Sequence, residues 1–196
     1  MGGGGGIPLP YDAEIEYLQS TGTSGFYIDT LIGKPSPFNS VMIETEVEFV
    51  STTSRQIHGA LNSLYFGVNN NRWEIAYLRY KNGADTNKHI LSKSLTVSSN
   101  RAYYVFTLDG TLADTYNSSY VESDFNNNIG IFNYEASSTT GWYAKIYGEK
   151  IYLNEVLVRD FIPVRVGTIG YMYDKVSGQL FGNSGTGDFI LGPDKN

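Results

Sequence analysis

The 196 residues of this chain predict an all-β domain of the two-sheet antiparallel jelly-roll kind, and three observations predict it. Val41, Ile43, Thr45, Val47 and Phe49 alternate with Met42, Glu44, Glu46, Glu48 and Val50, the period-two pattern of a strand with one buried face. Sixteen Tyr and ten Phe suit a pleated, half-buried surface better than a helix. Gly, Asn, Asp and Ser turns break the chain into short runs, and no stretch repeats with a helical period.

Taken from the N-terminus, Gly2, Gly3, Gly4, Gly5 and Gly6 have no side chains to bury and much entropy to lose. They predict a flexible arm over 1–10, stiffened by Pro8 and Pro10, ahead of a single domain over 11–196. Such a thin arm suits threading into a partner's groove where only glycine fits. After the strand at 41–50, further strands are expected at 63–68, 73–80, 103–108, 129–134, 142–153 and 156–161. Asn69-Asn70-Asn71, Asp109-Gly110 and Asn154-Glu155 sit between such runs or at their ends and read as tight hairpin turns. No internal repeat of fixed period points to a propeller or solenoid.

Composition narrows the function classes. Without cysteine there is no disulfide, thiolate metal site or cysteine nucleophile. Fourteen Lys and Arg against 20 Asp and Glu leave a net charge of -6, which repels phosphate backbones and anionic membranes, so neither nucleic acid nor membrane is an expected partner. The opening residues have neither the basic start nor the apolar run of a secretory signal, and export by the usual route is not expected. Gly185-Thr186-Gly187 lacks the helix and lysine of a phosphate-cradling loop, and no cofactor is expected.

Three segments together resemble concanavalin A-like or laminin-G-like jelly-roll domains of gut (Bacteroides-type) bacteria and their phages. The first is Glu16-Tyr17-Leu18-Gln19-Ser20-Thr21-Gly22-Thr23 with Tyr27-Ile28-Asp29-Thr30; the second is Tyr104-Val105-Phe106-Thr107-Leu108-Asp109-Gly110. The third runs from Lys145-Ile146-Tyr147 through Leu157-Val158-Arg159-Asp160-Phe161-Ile162-Pro163 and Gly170-Tyr171-Met172-Tyr173-Asp174 to Gly185-Thr186-Gly187. The resemblance spans most of 11–193. It implies two curved antiparallel sheets and a setting such as a phage virion fibre, a decoration protein or a bacterial surface protein. With no persuasive catalytic motif we expect a non-enzymatic virion protein: a head or tail fibre or capsid-decoration subunit, made in the host cytoplasm and carried outside on the particle. Its expected partners are other virion proteins, held through the glycine arm, further copies of itself, and host or mucosal glycans during host attachment. A free bacterial carbohydrate-binding module is the alternative.

Glucanases of the same fold use a Glu-x-Asp-x-Glu strand, which makes Glu44, Glu46 and Glu48 the candidate residues for a glycoside hydrolase. On a strand they recur about 6.6 Å apart, within reach of the roughly 5–5.5 Å carboxyl spacing of retaining chemistry. The middle residue is Glu rather than Asp, and we read the three as the solvated face of an edge-proximal strand, where charge discourages association. His58 and His89 lack metal-ligand spacing, so no metal site is expected from them. Asp124-Phe125-Asn126-Asn127-Asn128 reads as a polar turn rather than a calcium loop. Sugar recognition calls for an exposed ring flanked by amides or Arg, because the ring covers the apolar side of a pyranose while the amides meet its hydroxyls. Asn69, Asn70, Arg72 and Trp73 form one such group, and Tyr134 with Trp142 another. The competing reading for each tryptophan is burial in the core.

Overall fold

Val41, Ile43, Thr45, Val47 and Phe49 all point into the protein from β4 (Ser40–Phe49), while Met42, Glu44, Glu46 and Glu48 face outward. The alternation read in the sequence is therefore the burial pattern of the strand. In this computed structural model the described residues are 8–22, 26–33, 40–52, 66–69, 71–75, 79–98, 101–119, 128–133 and 143–196, and their regular structure is all β. Gly2 to Gly6, Asn70, Tyr134, Trp142, His58 and 124–127 lie outside them.

β4 is not edge-proximal. It pairs on one side with β8 (Lys88–Ser98) and on the other with β12 (Ala144–Leu153), each along nearly its whole length. Alternation reports which faces of a strand are buried and is silent about its neighbours, which is why the edge reading fails. Beyond β8 come β9 (Arg101–Leu108) and β10 (Thr111–Ser119); beyond β12 come β13 (Val156–Val166), β14 (Ile169–Asp174) and β15 (Gln179–Phe181). All these pairings are antiparallel.

The two ends of the chain are sewn onto this sheet. β1 (Ala13–Glu14) pairs with Arg165 and Val164 of β13. β2 (Leu18–Gln19) joins β12 at Lys145 and Ile146 and carries β16 (Ile190–Leu191) on its other side. Small sheets accompany the large one: β5 (Phe66–Asn69), β6 (Arg72–Ile75) and β7 (Arg79–Asn82) form one, and β3 (Ile28–Asp29) with β11 (Gly130–Ile131) another. The run at 73–80 is thus two strands rather than one. β6 and β7 pair antiparallel, and the sequence between them, Ala76-Tyr77-Leu78, holds no Gly, Pro or Asn to announce a break.

Aromatic contacts join the layers. Trp73 of β6 meets Phe49 of β4 edge-on at 5.9 Å between ring centroids. Phe26 and Phe132 pack on Phe189 at 5.5 and 5.0 Å. Two hairpin turns match the sequence reading closely: Asp109-Gly110 has φ of 51° and 75°, and Asn154-Glu155 has φ of 48° and 68°. Two positive φ values in a two-residue loop mark the turn whose twist suits antiparallel strands.

Among the described residues Lys93, Glu149 and Asp174 are ionisable side chains in buried positions. Lys93 of β8 is fully buried, its ammonium 5.5 Å from the ring centre of Tyr104, and burial holds its pKa well below the ordinary lysine value. Glu149 of β12 accepts a 2.9 Å hydrogen bond from the Thr45 hydroxyl directly across the ladder. Thr45→Val keeps the shape of the side chain and deletes this donor, so it is expected to lower stability by about 1–3 kcal/mol in urea unfolding. An unchanged midpoint would show that the bond contributes nothing.

Candidate functional site

The outward side chains of β4 and its neighbours form one continuous face, and cross-strand pairing sets its chemistry row by row. At one end Glu48 lies between Lys88 and Lys145; in the next row Glu46 lies between Ile90 and Gly148; in the next Glu44 lies between Ser92 and Lys150. Each carboxylate is held by an ammonium: Glu48 with Lys145 at 2.6 Å, Glu46 with Lys88 at 2.6 Å, Glu44 with Lys150 at 3.6 Å.

A bulge in β12 adds an aromatic to this ladder. The register with β4 shifts between Ile146 and Gly148, which turns Tyr147 outward, and its hydroxyl donates to Glu48 at 2.7 Å. Burial pushes Glu48 up, but the hydrogen bonds from Lys145 and Tyr147 and the charges of Lys145 and Lys88 outweigh it and hold the carboxyl below its ordinary range. Burial and the same Glu48 contact push the Tyr147 phenol well up, so it keeps its proton. Lys88 stands over the Tyr147 ring at 4.6 Å and Lys145 over Tyr17 at 5.0 Å, and the two rings meet edge-on at 5.5 Å. An open groove of about 290 Å³ continues from Glu44, Glu46 and Tyr147 toward Asp160 and Lys175. Those last two are themselves paired at 2.8 Å.

A retaining pair needs one carboxyl that holds a proton to give to the leaving oxygen. Here the three carboxylates are matched one to one with lysines, and Glu48 is held in its charged form.

The residues proposed as sugar plates are distributed differently from the sequence reading. Trp73 is 2% exposed and packs between Phe49 and His89, so its ring faces are inside the protein. Its neighbour Arg72 is exposed, and pairs in register with Asn69 of β5. Asn70, Tyr134 and Trp142 are outside the described residues. Of residues 124–128 only Asn128 is described, and its amide donates to both oxygens of Asp29 at 3.0 and 3.1 Å.

One cluster has no signature in the sequence. The His89 ring lies between two carboxylates, Nδ1 at 2.7 Å from Asp109 and Nε2 at 2.9 Å from Asp85, with Trp73 edge-on at 5.5 Å. Neutral imidazole has one N–H, so two carboxylate acceptors require the doubly protonated cation. Burial lowers the His89 pKa, but the hydrogen bonds and charges of Asp109 and Asp85 outweigh it and raise the value above 6.5. Asp109 also accepts from the Ile90 backbone N–H at 2.8 Å, so the clamp ties the β9–β10 turn to β8.

Among the described residues no group of three or more His, Asp or Glu is placed to hold a metal ion, and no helix is long and apolar enough to cross a membrane. No protein-family model matches the chain, and no curated protein matches it in sequence. Function has to be read from the face itself.

Proposed function

We propose that this chain is a non-catalytic domain displayed on a bacteriophage particle, of the head or tail fibre or capsid-decoration kind. In this reading it has a concanavalin A-like jelly-roll architecture, and the outer face of its large sheet contacts host or mucosal glycans. The observation that carries the reading is that face: a broad surface spanning the central strands, with tyrosines, hydroxyls and charges held in pairs. Such a surface is stable in water and rich in hydrogen-bonding groups, and each of its three glutamates is matched with a lysine. The antiparallel sheet with both chain ends sewn onto it supports the architecture. Gly2 to Gly6 are the proposed attachment arm to other virion proteins.

Negative-stain microscopy of particles labelled with an antibody to this chain tests the display, and a labelled surface is the expected result. Particles that carry no label overturn it. Incubation of the purified protein with a broad glycan panel tests the absence of catalysis. Release of reducing sugar that disappears in Glu44→Gln would make the chain a hydrolase.

A further inference from the structure

The outer face of the large sheet changes chemistry half-way along its strands. The Glu48, Glu46 and Glu44 rows are charged; the two rows beyond them are not. One of these runs Val105, Ser94, Met42, Tyr152 across β9, β8, β4 and β12, and the other runs Tyr103, Thr96, Ser40 across the first three of those strands. A groove of about 320 Å³ lies over this half, with Met42 and Tyr152 as apolar lining, Ser40, Ser94 and Thr96 as hydroxyl lining, and Glu155 of the β12–β13 turn as the one charge among its described lining residues. Its volume is at the lower end of the range for small-molecule sites. Tyr103 and Val105 next to it are 42% and 37% exposed, large apolar surface left in water on a sheet that buries its opposite face.

We propose that this uncharged half binds a neutral oligosaccharide laid across the strands, an inference that rests on the glycan-contact reading above. The chemistry selects the ligand. A pyranose presents an apolar C–H face and a rim of hydroxyls, and this surface sets Tyr and Met beside Ser and Thr in the same way. Among the described residues no cation lines the groove and Glu155 supplies a negative charge, so sialylated, sulfated and other anionic ligands meet repulsion without a counter-charge. The density of hydroxyls disfavours a lipid chain, whose burial would strip them of water without replacing its hydrogen bonds. Tyr103 on β9 and Tyr152 on β12 are three strand spacings apart, about 14 Å, and one further row apart along the strands. One monosaccharide does not cover both rings, whereas a short chain does. Glu155, held at the turn with a φ of 68°, is placed to accept a hydrogen bond from a sugar hydroxyl at the groove's end.

The test uses the full chain on an array holding both neutral and anionic glycans, followed by calorimetric titration of the strongest neutral ligand. Tyr103→Ala, Tyr152→Ala and Thr96→Glu are compared with wild type and with Val176→Ala, an exposed change in the β14–β15 turn far from these rows. Thermal melting confirms that each variant is folded; Tyr103 and Thr96 are exposed, so their variants keep the test sound if Tyr152→Ala unfolds. The expected result is binding of neutral glycans, weakened at least about ten-fold by each tyrosine change and abolished by Thr96→Glu, with Val176→Ala unchanged. Neutral binding untouched by all three variants overturns the groove and leaves the glycan reading standing. Binding of anionic glycans alone overturns the neutral ligand class. No binding to any glycan overturns both readings together.

Discussion

Trp73→Ala is expected to lower stability by about 3–5 kcal/mol, the cost of deleting a large buried ring that its surroundings cannot refill. The ring is 2% exposed and crosses from the small β5–β7 sheet to the large one, edge-on to Phe49 at 5.9 Å and edge-on to His89 at 5.5 Å. Its removal therefore opens a cavity between layers and strips packing from the clamp at once. Urea unfolding followed by far-ultraviolet circular dichroism reads the loss. The same change separates the two sequence readings of this residue. As a sugar plate, Trp73 would lose binding with stability intact; as core, it loses stability first.

His89→Gln is expected to cost about 1–2 kcal/mol near pH 6, with a cost that shrinks as the pH rises. Hydrogen bonds to charged partners are worth up to about 3 kcal/mol, but both carboxylates here are close to half exposed and solvent screens them. The direction with pH follows from which state holds the proton more tightly. The folded pKa of His89 lies above the ordinary 6.5, so its contribution is complete below that value and fades as the pH climbs through the raised folded value. On the acid side, burial raises Asp85 and Asp109, but hydrogen bonds from backbone N–H groups and from His89 outweigh it and hold both below the ordinary 3.8. Their contribution is therefore present above 3.8 and is lost as the pH falls through their lowered folded values. Urea midpoints of wild type and variant from pH 4 to pH 9 check this. A difference that stays flat across neutral and alkaline pH contradicts the doubly protonated clamp.

How much of this was legible in the sequence depends on how local the cause is. The alternation of β4 survives into the structure because its neighbours β8 and β12 repeat the same one-sided burial, apart from the bulge at Tyr147. The Asp109-Gly110 and Asn154-Glu155 turns were legible because positive φ is a property of the turn itself. β8 was missed for a physical reason: its inward residues are Leu91, Lys93 and Leu95, and a buried lysine breaks the pattern that would reveal the strand. β10 reads as a polar run, TLADTYNSS, with a register shift between Leu112 and Asp114 that interrupts its alternation further.

The candidate site was half legible. Glu44, Glu46 and Glu48 share a face as their spacing requires, but their lysine partners come from β8 and β12, and only the sheet order brings them together. The bulge at Tyr147 and the clamp on His89 are likewise products of pairing between strands distant in sequence. Trp73 stays open between sugar plate and core in the sequence because Asn and Arg beside a tryptophan read alike whether its ring faces solvent or another sheet.

The central claim is that the outer face of the large sheet, and its uncharged half in particular, is a non-catalytic glycan-contact surface. Amide chemical-shift mapping by NMR, with a neutral oligosaccharide titrated into the isotope-labelled full chain, tests it most directly. The account predicts shifts concentrated at Ser40, Met42, Ser94, Thr96, Tyr103 and Tyr152, with the sugar recovered intact. Shifts confined to other parts of the protein, or cleavage of the sugar during the titration, would contradict it.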